Sequence, residues 1–402
     1  MVNQRMLQYG SVRSAIRDLS EYGNKRRAEI GRHDVFDYSL GNPSIPAPDK
    51  VAEELKLLAE TVDPVALHGY TSAAGDVNVR KKMIRDINIR YETDLTVDDI
   101  YLTCGAASSL AITLNALTEP GDEFVAIAPF FAEYKVFTEA AGAKFVICEA
   151  DTEHFMIDFD HLEEAVNENT KGIIINYPNN PTGVIPDKQC LESLAAFLEY
   201  VSKSYGHPVF LISDEPYREL NYEYKYLPYF TNLYAHTIVC YSFSKALSLP
   251  GERIGYVVVS NKFDGHEDVY AAVCGAGRAM GYVCAPSTMQ RVVSQCMNVS
   301  ADLEIYKKNR DILYNSLKQM GYDCTYPDGA FYLFVKSPLE SADEFSELAK
   351  KYELLIVPSD SFGINGYVRL AYCVPTEMIE RSLPAFQALK EEADKIIADR
   401  KH

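Results

Sequence analysis

No apolar run in this sequence approaches the length of a membrane span. Its first ten residues, Met1-Val-Asn-Gln-Arg-Met-Leu-Gln-Tyr-Gly10, lack the apolar centre of a secretory leader. Arg13, Arg17, Lys25, Arg26 and Arg27 mark a polar, helical stretch there instead, so the expected location is the cytoplasm. No basic cluster offsets the acidic excess: 57 Asp and Glu stand against 39 Lys and Arg, a formal charge of −18. A phosphate-backbone partner needs Lys and Arg gathered on one face, so nucleic acid is not expected, and neither is a membrane. Cys-x-x-Cys pairs are missing too. The nine cysteines (104, 148, 190, 240, 274, 284, 296, 324 and 373) are scattered and odd in number, which fits reduced thiols and neither disulfides nor a metal site. Repeats and low-complexity linkers are absent, so the chain has to be divided by pattern. What is present is an ordinary globular composition, 47% apolar and 24% charged over 402 residues, enough for one large core or two.

From about residue 98 to 260, short apolar strands alternate with helical stretches. Ile100–Thr103, Glu123–Ala128, Lys144–Cys148, Gly172–Tyr177, Pro208–Ser213, His236–Tyr241 and Gly255–Ser260 read as strands; Ala106–Leu117, Phe131–Ala141 and Asp187–Ser204 read as helices. Near-continuous apolar strands between helices predict an α/β fold, a largely parallel sheet covered on both faces. After about residue 290 long helical stretches, Ser300–Met320 and Met378–Ile397, flank Ala330–Val335, Leu354–Val357 and Tyr367–Ala371. That is the pattern of a smaller α+β domain, on which the arm and helix of the first 40 or so residues are expected to pack.

The chemistry-bearing residues gather at strand ends. His236–Tyr241 delivers Ser242, Ser244 and Lys245 at its carboxyl end, where open α/β sheets bind ligands. A lysine amine whose pKa is lowered there can form a Schiff base with an aldehyde cofactor, and the serines with Arg253 suit a phosphate. A solvated loop lysine is the plainer alternative. Another apolar strand ends in Tyr177-Pro-Asn-Asn-Pro-Thr-Gly183, which holds Asn180 rigidly with an amide able to donate to a ring hydroxyl or carboxylate; an ordinary turn would explain the same residues. Asp214 ends the strand from Pro208, with Tyr217 three residues on. The carboxylate could pair with a protonated pyridine nitrogen and Tyr217 could donate to the ring's phenolate oxygen, or Asp214 could cap a following helix. In Cys104-Gly-Ala-Ala-Ser-Ser109 the amides of Ala106 and Ala107 and the hydroxyl of Ser108 open a helix and offer a phosphate site. Arg369 interrupts the apolar strand Tyr367-Val-Arg-Leu-Ala371; pointing inward, it would present a fork to a carboxylate. Gly41 and Tyr70 lie in turns, Ser39-Leu-Gly-Asn-Pro43 and His68-Gly-Tyr-Thr71.

In this order, these segments resemble the class I pyridoxal-phosphate aminotransferases of fold type I, the aspartate aminotransferase superfamily, over almost the whole chain. The resemblance is carried by Leu40-Gly-Asn-Pro43, Gly69-Tyr-Thr71, Gly105-Ala-Ala-Ser-Ser109, Pro129-Phe-Phe-Ala-Glu-Tyr134, Asn179-Asn-Pro-Thr-Gly183, Asp214-Glu-Pro-Tyr217, Ser242-Phe-Ser-Lys245 with Arg253, and Val368-Arg-Leu370. It implies a large cofactor-binding domain over residues 47–290 with a mostly parallel, seven-stranded sheet, and a small α+β domain from 1–46 plus 291–402.

The resemblance also implies roles. Lys245 would carry pyridoxal 5′-phosphate as a Schiff base and then shuttle the proton between substrate Cα and cofactor C4′. Asp214 would pair with the pyridine nitrogen, Asn180 and Tyr217 would hold the phenolic oxygen, and Phe131 would stack on the ring. Ala106, Ala107, Ser108, Ser242, Ser244 and Arg253 would hold the phosphate, helped by Tyr70 reaching across a homodimer. Arg369, with Gly41 and Asn180, would bind the substrate α-carboxylate. Two departures bear on the substrate. Ala107 stands where one branch of aspartate aminotransferases has a side-chain-reading lysine, and Arg278 lies near, with different spacing, where another branch has an arginine from the neighbouring subunit. L-Aspartate with 2-oxoglutarate is the first pair expected. The alternatives are a β-eliminating C–S lyase and a pyridoxal-phosphate-binding regulator, which would need a DNA-binding module for which there is no room before Leu40.

Overall fold

The computed structural model describes residues 2–11 and 15–400; Arg13 lies outside them. Twelve strands follow in chain order: β1 Phe36–Asp37, β2 Ile100–Thr103, β3 Glu123–Ile127, β4 Lys144–Cys148, β5 Thr170–Asn176, β6 Phe210–Asp214, β7 Thr237–Ser242, β8 Gly255–Val259, β9 Tyr332–Lys336, β10 Leu354–Leu355, β11 Val357–Pro358 and β12 Tyr367–Ala371. β2 to β8 form one seven-stranded sheet in the order β2-β8-β7-β6-β5-β3-β4. Its β3–β4, β3–β5, β5–β6 and β6–β7 pairings are parallel, and only β8 runs against the rest. The expected mostly parallel α/β sheet is therefore present, with boundaries shifted by one or two residues.

Burial on both faces explains the apolar runs. Ile174, Ile212, Ile238 and Val257 enter one core and Ile173, Ile175 and Leu211 another on the opposite face. Each such side chain withdrawn from water contributes about 1.5–3 kcal/mol. The helices Ala106–Leu117 and Lys188–Tyr205 cover these faces, the second opened by Asp187, whose carboxylate accepts from the Cys190 amide at 2.8 Å.

A separate core surrounds the antiparallel sheet β11-β12-β9 and the helices Glu304–Gln319 and Thr376–Arg400. The segment Leu354–Val357 is not one strand but two: β10 pairs in parallel with β1, and β11 pairs with β12. Two neighbouring pairing partners divide the run. The N-terminal region also departs from expectation. Leu19 and Val35 pack in a cluster of their own with Phe334, Leu355 and Val357 of β9, β10 and β11 and with Phe155 and Val184, but the first helix, Gln4–Ser11, turns to the other side, where Arg5 donates to the Glu139 carbonyl at 2.9 Å and Tyr9 to its carboxylate at 3.3 Å.

Register fixes where the site lies. Asn176 at the end of β5 pairs with Asp214 at the end of β6, and Ser242 at the end of β7 pairs with Gly255, which also pairs with Thr103 at the end of β2. Four loops therefore leave one edge of the sheet together.

Candidate active site

That edge opens into a cavity of about 300 Å³ lined by Gly41, Ala106, Ala107, Phe131, Asn180, Asp214, Tyr217, Ser242, Ser244, Lys245, Arg253 and Arg369, all expected from the sequence. Ile16, Leu110, Asn176, Pro216, Pro250 and Tyr332 complete the wall.

Lys245 sits in a single helical turn, Phe243–Ala246, capped by Ser242, whose hydroxyl accepts from the Ser244 amide at 3.1 Å. Its Nζ donates to the Gly41 carbonyl at 2.6 Å. Burial pushes its pKa down to about 8, and the nearby guanidiniums of Arg369 and Arg253 push the same way against an opposing influence of Cys373. The amine is thus about half neutral near pH 8, where an ordinary lysine is almost wholly protonated, and so supplies the free base a nucleophile requires. One consequence is measurable: the rate at which apoprotein captures an aldehyde cofactor rises with pH and levels off above about pH 8. A rate levelling off only above pH 10 would mean an unperturbed lysine.

Asp214 is 4% exposed. Its Oδ2 accepts from the Tyr134 hydroxyl at 2.6 Å, while its Oδ1 is buried with no partner. Burial pushes this carboxyl up to about 7, against the Tyr134 hydrogen bond and with the charge of Glu215. No helix follows Asp214, so the capping alternative fails; the next residues form turns. An orphaned buried oxygen facing a cavity calls for a donor with positive charge, and a protonated ring nitrogen has both properties.

Asn180 is held from below. Its backbone N–H donates to Asn176 Oδ1 at 2.8 Å, and Asn176 Nδ2 in turn donates to the Asp214 backbone carbonyl at 2.8 Å. Its own Oδ1 accepts from Arg369 Nη1 at 3.1 Å. Arg369, 2% exposed, does point inward. Nη2 donates to the Ser39 carbonyl at 2.8 Å, Nε is buried without a partner, and no acidic side chain pairs with it among the described residues. A buried guanidinium short of an anion suits a carboxylate ligand.

On the opposite wall the Ser242 and Ser244 hydroxyls lie 2.6 Å apart and Arg253 Nη1 approaches Ser244 Oγ at 3.5 Å. Gly105 adopts φ +94°, and a Cβ there would stand 2.8 Å from Arg253 Nη2. Small residues, a helix start and an arginine leave room for a phosphate. Ser108 departs from expectation: its hydroxyl donates back to the Gly105 carbonyl at 2.8 Å and does not line the cavity. A serine in the first turn satisfies itself locally. Tyr70 is 90% exposed and Arg278 is exposed on the helix His266–Ala279; neither lines this chain's cavity.

Two contributors escaped the sequence reading. Tyr134 lies three residues beyond Phe131, in the first turn of the helix Glu133–Ala141; its amide donates to the Phe131 carbonyl at 3.0 Å and the two rings meet edge-on, so the short spacing carried a signal. Tyr332 alternates with Phe331 along its strand, and nothing local marked it.

The unpartnered Asp214 oxygen, the perturbed lysine and the phosphate-sized cradle fit one ligand, and they define an enzyme that carries pyridoxal phosphate at the carboxyl edge of a large α/β sheet. Comparison with known proteins agrees. The chain belongs to the aminotransferase class I and II family, whose model matches residues 33–386; it is a pyridoxal-phosphate-dependent transaminase. A probable aspartate aminotransferase of Methanocaldococcus jannaschii is 30% identical over 379 residues, 90% of this chain and 95% of the relative. A probable N-acetyl-LL-diaminopimelate aminotransferase of Bacillus subtilis is also 30% identical, over 88% of this chain and 89% of its own length. A crystal structure of an amino transferase from Eubacterium rectale is 52% identical with a TM-score of 0.95, covering 98% of this chain and 99% of that one.

Proposed function

We propose that this transaminase moves an amino group from an L-α-amino acid to a 2-oxo acid at the cavity built around Lys245, and that L-aspartate with 2-oxoglutarate is its pair. The observation that carries the proposal of the site is the buried Asp214 Oδ1 without a partner, opposite a lysine whose amine is held near neutrality. Relatives named aspartate aminotransferase support the pair.

When bound, pyridoxal phosphate supplies an electron sink conjugated to the substrate's α-carbon. Asp214 keeps the ring nitrogen protonated. Asn180 and Tyr217 donate to the ring's phenolic oxygen, and Phe131 covers its face. The amides of Ala106 and Ala107, the hydroxyls of Ser242 and Ser244, and Arg253 hold the phosphate. Lys245, whose Nζ would hold the cofactor's aldehyde carbon, is also the base placed to move the proton between the substrate's Cα and the cofactor's C4′. Arg369 grips the α-carboxylate while Asn180 and Gly41 line its path, which holds the Cα–H bond in one orientation.

In this reading residues 47–290 form the cofactor-binding domain and 1–46 with 291–402 the smaller one; the core around Tyr306, Leu313 and Phe386 supports the division. The helix Ser287–Gln295 with Cys296 and Met297, however, packs against Val79, Met83 and Val258 of the large domain, which favours a boundary after Met297. The protein works as a cytoplasmic homodimer in which Tyr70 completes a phosphate site across the interface; its 90% exposure in the single chain supports this.

A second reading, a neutral or apolar amino donor, draws support from the cavity wall. Lys245, Arg253 and Arg369 are its only cations among the described residues, and Ile16, Ala107, Leu110, Phe131 and Pro250 are apolar. Initial rates for aspartate and for a panel of apolar amino acids, each with 2-oxoglutarate and with pyruvate, separate the two readings. Aspartate must lead in kcat/KM for the first to stand. Arg369→Ala should raise KM for every carboxylate substrate about 100-fold, as expected for losing a bidentate charge-assisted contact. An unchanged KM removes Arg369 from the site.

A further inference from the structure

Tyr332 stands where the proposed cofactor and substrate contacts meet. Its hydroxyl lies 2.9 Å from the Tyr217 hydroxyl, and both side chains are buried. The face of its ring carries Arg369, whose guanidinium carbon is 4.6 Å from the ring centroid. On its third side is Gly41, where any Cβ would collide with the Tyr332 hydroxyl; the carbonyl of that glycine accepts from Lys245. Strand β9 holds Tyr332 rigidly, paired with Ala371 of β12 two residues from Arg369.

We propose that Tyr332 is a positioning residue for transamination: its hydroxyl donates to Tyr217 and so turns the Tyr217 proton toward the cofactor's phenolic oxygen, while its ring holds Arg369 in place for the carboxylate. The inference rests on the roles proposed above for Tyr217 and Arg369. A phenol has one proton to give and two lone pairs to offer. With Tyr332 O–H filling a lone pair of Tyr217, the Tyr217 proton is left for the ring oxygen, and the two aligned hydrogen bonds polarise each other. A donor at that oxygen draws negative charge away from the Lys245 nitrogen beside it, which then loses its proton more readily.

The test is the pH titration of the holoenzyme's visible absorbance in the wild type, Tyr332→Phe, Tyr217→Phe and the double variant, with kcat and KM for each. Tyr332→Phe keeps the ring and its packing. Its midpoint should rise by about 0.5–1 pH unit, kcat should fall, and KM for the amino acid should stay within about twofold, because the ring face over Arg369 survives. In the Tyr217→Phe background the same substitution should give no further shift, since Tyr332 acts through Tyr217. Tyr332→Leu, which also removes the ring, should raise KM about tenfold. A Tyr332→Phe midpoint equal to the wild type's, or an equal shift in both backgrounds, overturns the inference; a residue needed only for packing would change stability and leave the midpoint alone. A wild-type protein with no titrating visible absorbance would overturn the site reading itself.

Discussion

Lys245→Ala should lose transamination by about 10⁴-fold or more in kcat while the fold and the cofactor's phosphate contacts persist. Two functions meet on one nitrogen. As a nucleophile held near neutrality by burial it fixes the cofactor, and as a base it carries the proton between two carbons. General acid–base catalysis alone is worth about 10²–10⁴-fold, and the covalent role adds to it. The phosphate wall, Ser242, Ser244 and Arg253, is untouched, so the variant should still bind pyridoxal phosphate, reversibly. Small primary amines added to the variant should restore part of the rate in proportion to their basicity, because they can enter the space left by the side chain and accept the Cα proton. A variant retaining more than about a tenth of the wild-type kcat would show that another group moves the proton.

Asp214→Asn should produce opposite effects with and without cofactor. In the apoprotein Asp214 titrates near 7 in the folded state against 3.8 unfolded. The folded chain therefore binds more protons than the unfolded chain between those values, and wild-type stability falls as pH rises from about 4 to 7. The loss is a few kcal/mol, about 4 at most. Asn carries no charge, so the variant apoprotein should be the more stable of the two at pH 8, with the difference closing near pH 4. With cofactor the order reverses. The wild-type carboxylate meets a protonated ring nitrogen, a charge-assisted hydrogen bond worth about 1.5–3 kcal/mol, so cofactor affinity should fall about 10–100-fold in the variant. The kcat should drop by about 10²-fold or more, because an unprotonated ring is a poorer electron sink. Thermal unfolding of both proteins at pH 4 and pH 8, with and without pyridoxal phosphate, checks all four corners. An Asn variant that keeps wild-type affinity would mean that Asp214 faces something else.

Much of this was legible because the large sheet is buried on both faces. Continuous runs such as Ile173-Ile-Ile175 and Val257-Val-Val259 can only be strands or buried helix, and the turn formers after Asn176 and the polar residues after Tyr241 decide for strands. Strand ends then locate Asn180, Asp214 and Lys245 without tertiary information. What escaped depends on contacts between distant segments. Tyr332 meets Tyr217 across 115 positions, and no local spacing encodes that. Arg5 and Tyr9 bind Glu139 through polar contacts on an otherwise unburied helix, so the N-terminal arm could not be assigned to a side by hydrophobic pattern. Ser108 shows the reverse case: its hydroxyl bonds to the Gly105 carbonyl inside the first helical turn and does not line the cavity, a local preference that the segment's sequence does not separate from a ligand role.

The central claim is that Lys245 holds pyridoxal phosphate in this chain. Borohydride reduction of the purified holoenzyme followed by peptide mass mapping tests it in one step. The account predicts loss of the visible absorbance and a single peptide, the one containing Lys245, heavier by the reduced cofactor. A reduced protein with the mass on any other lysine, or on none, would contradict it.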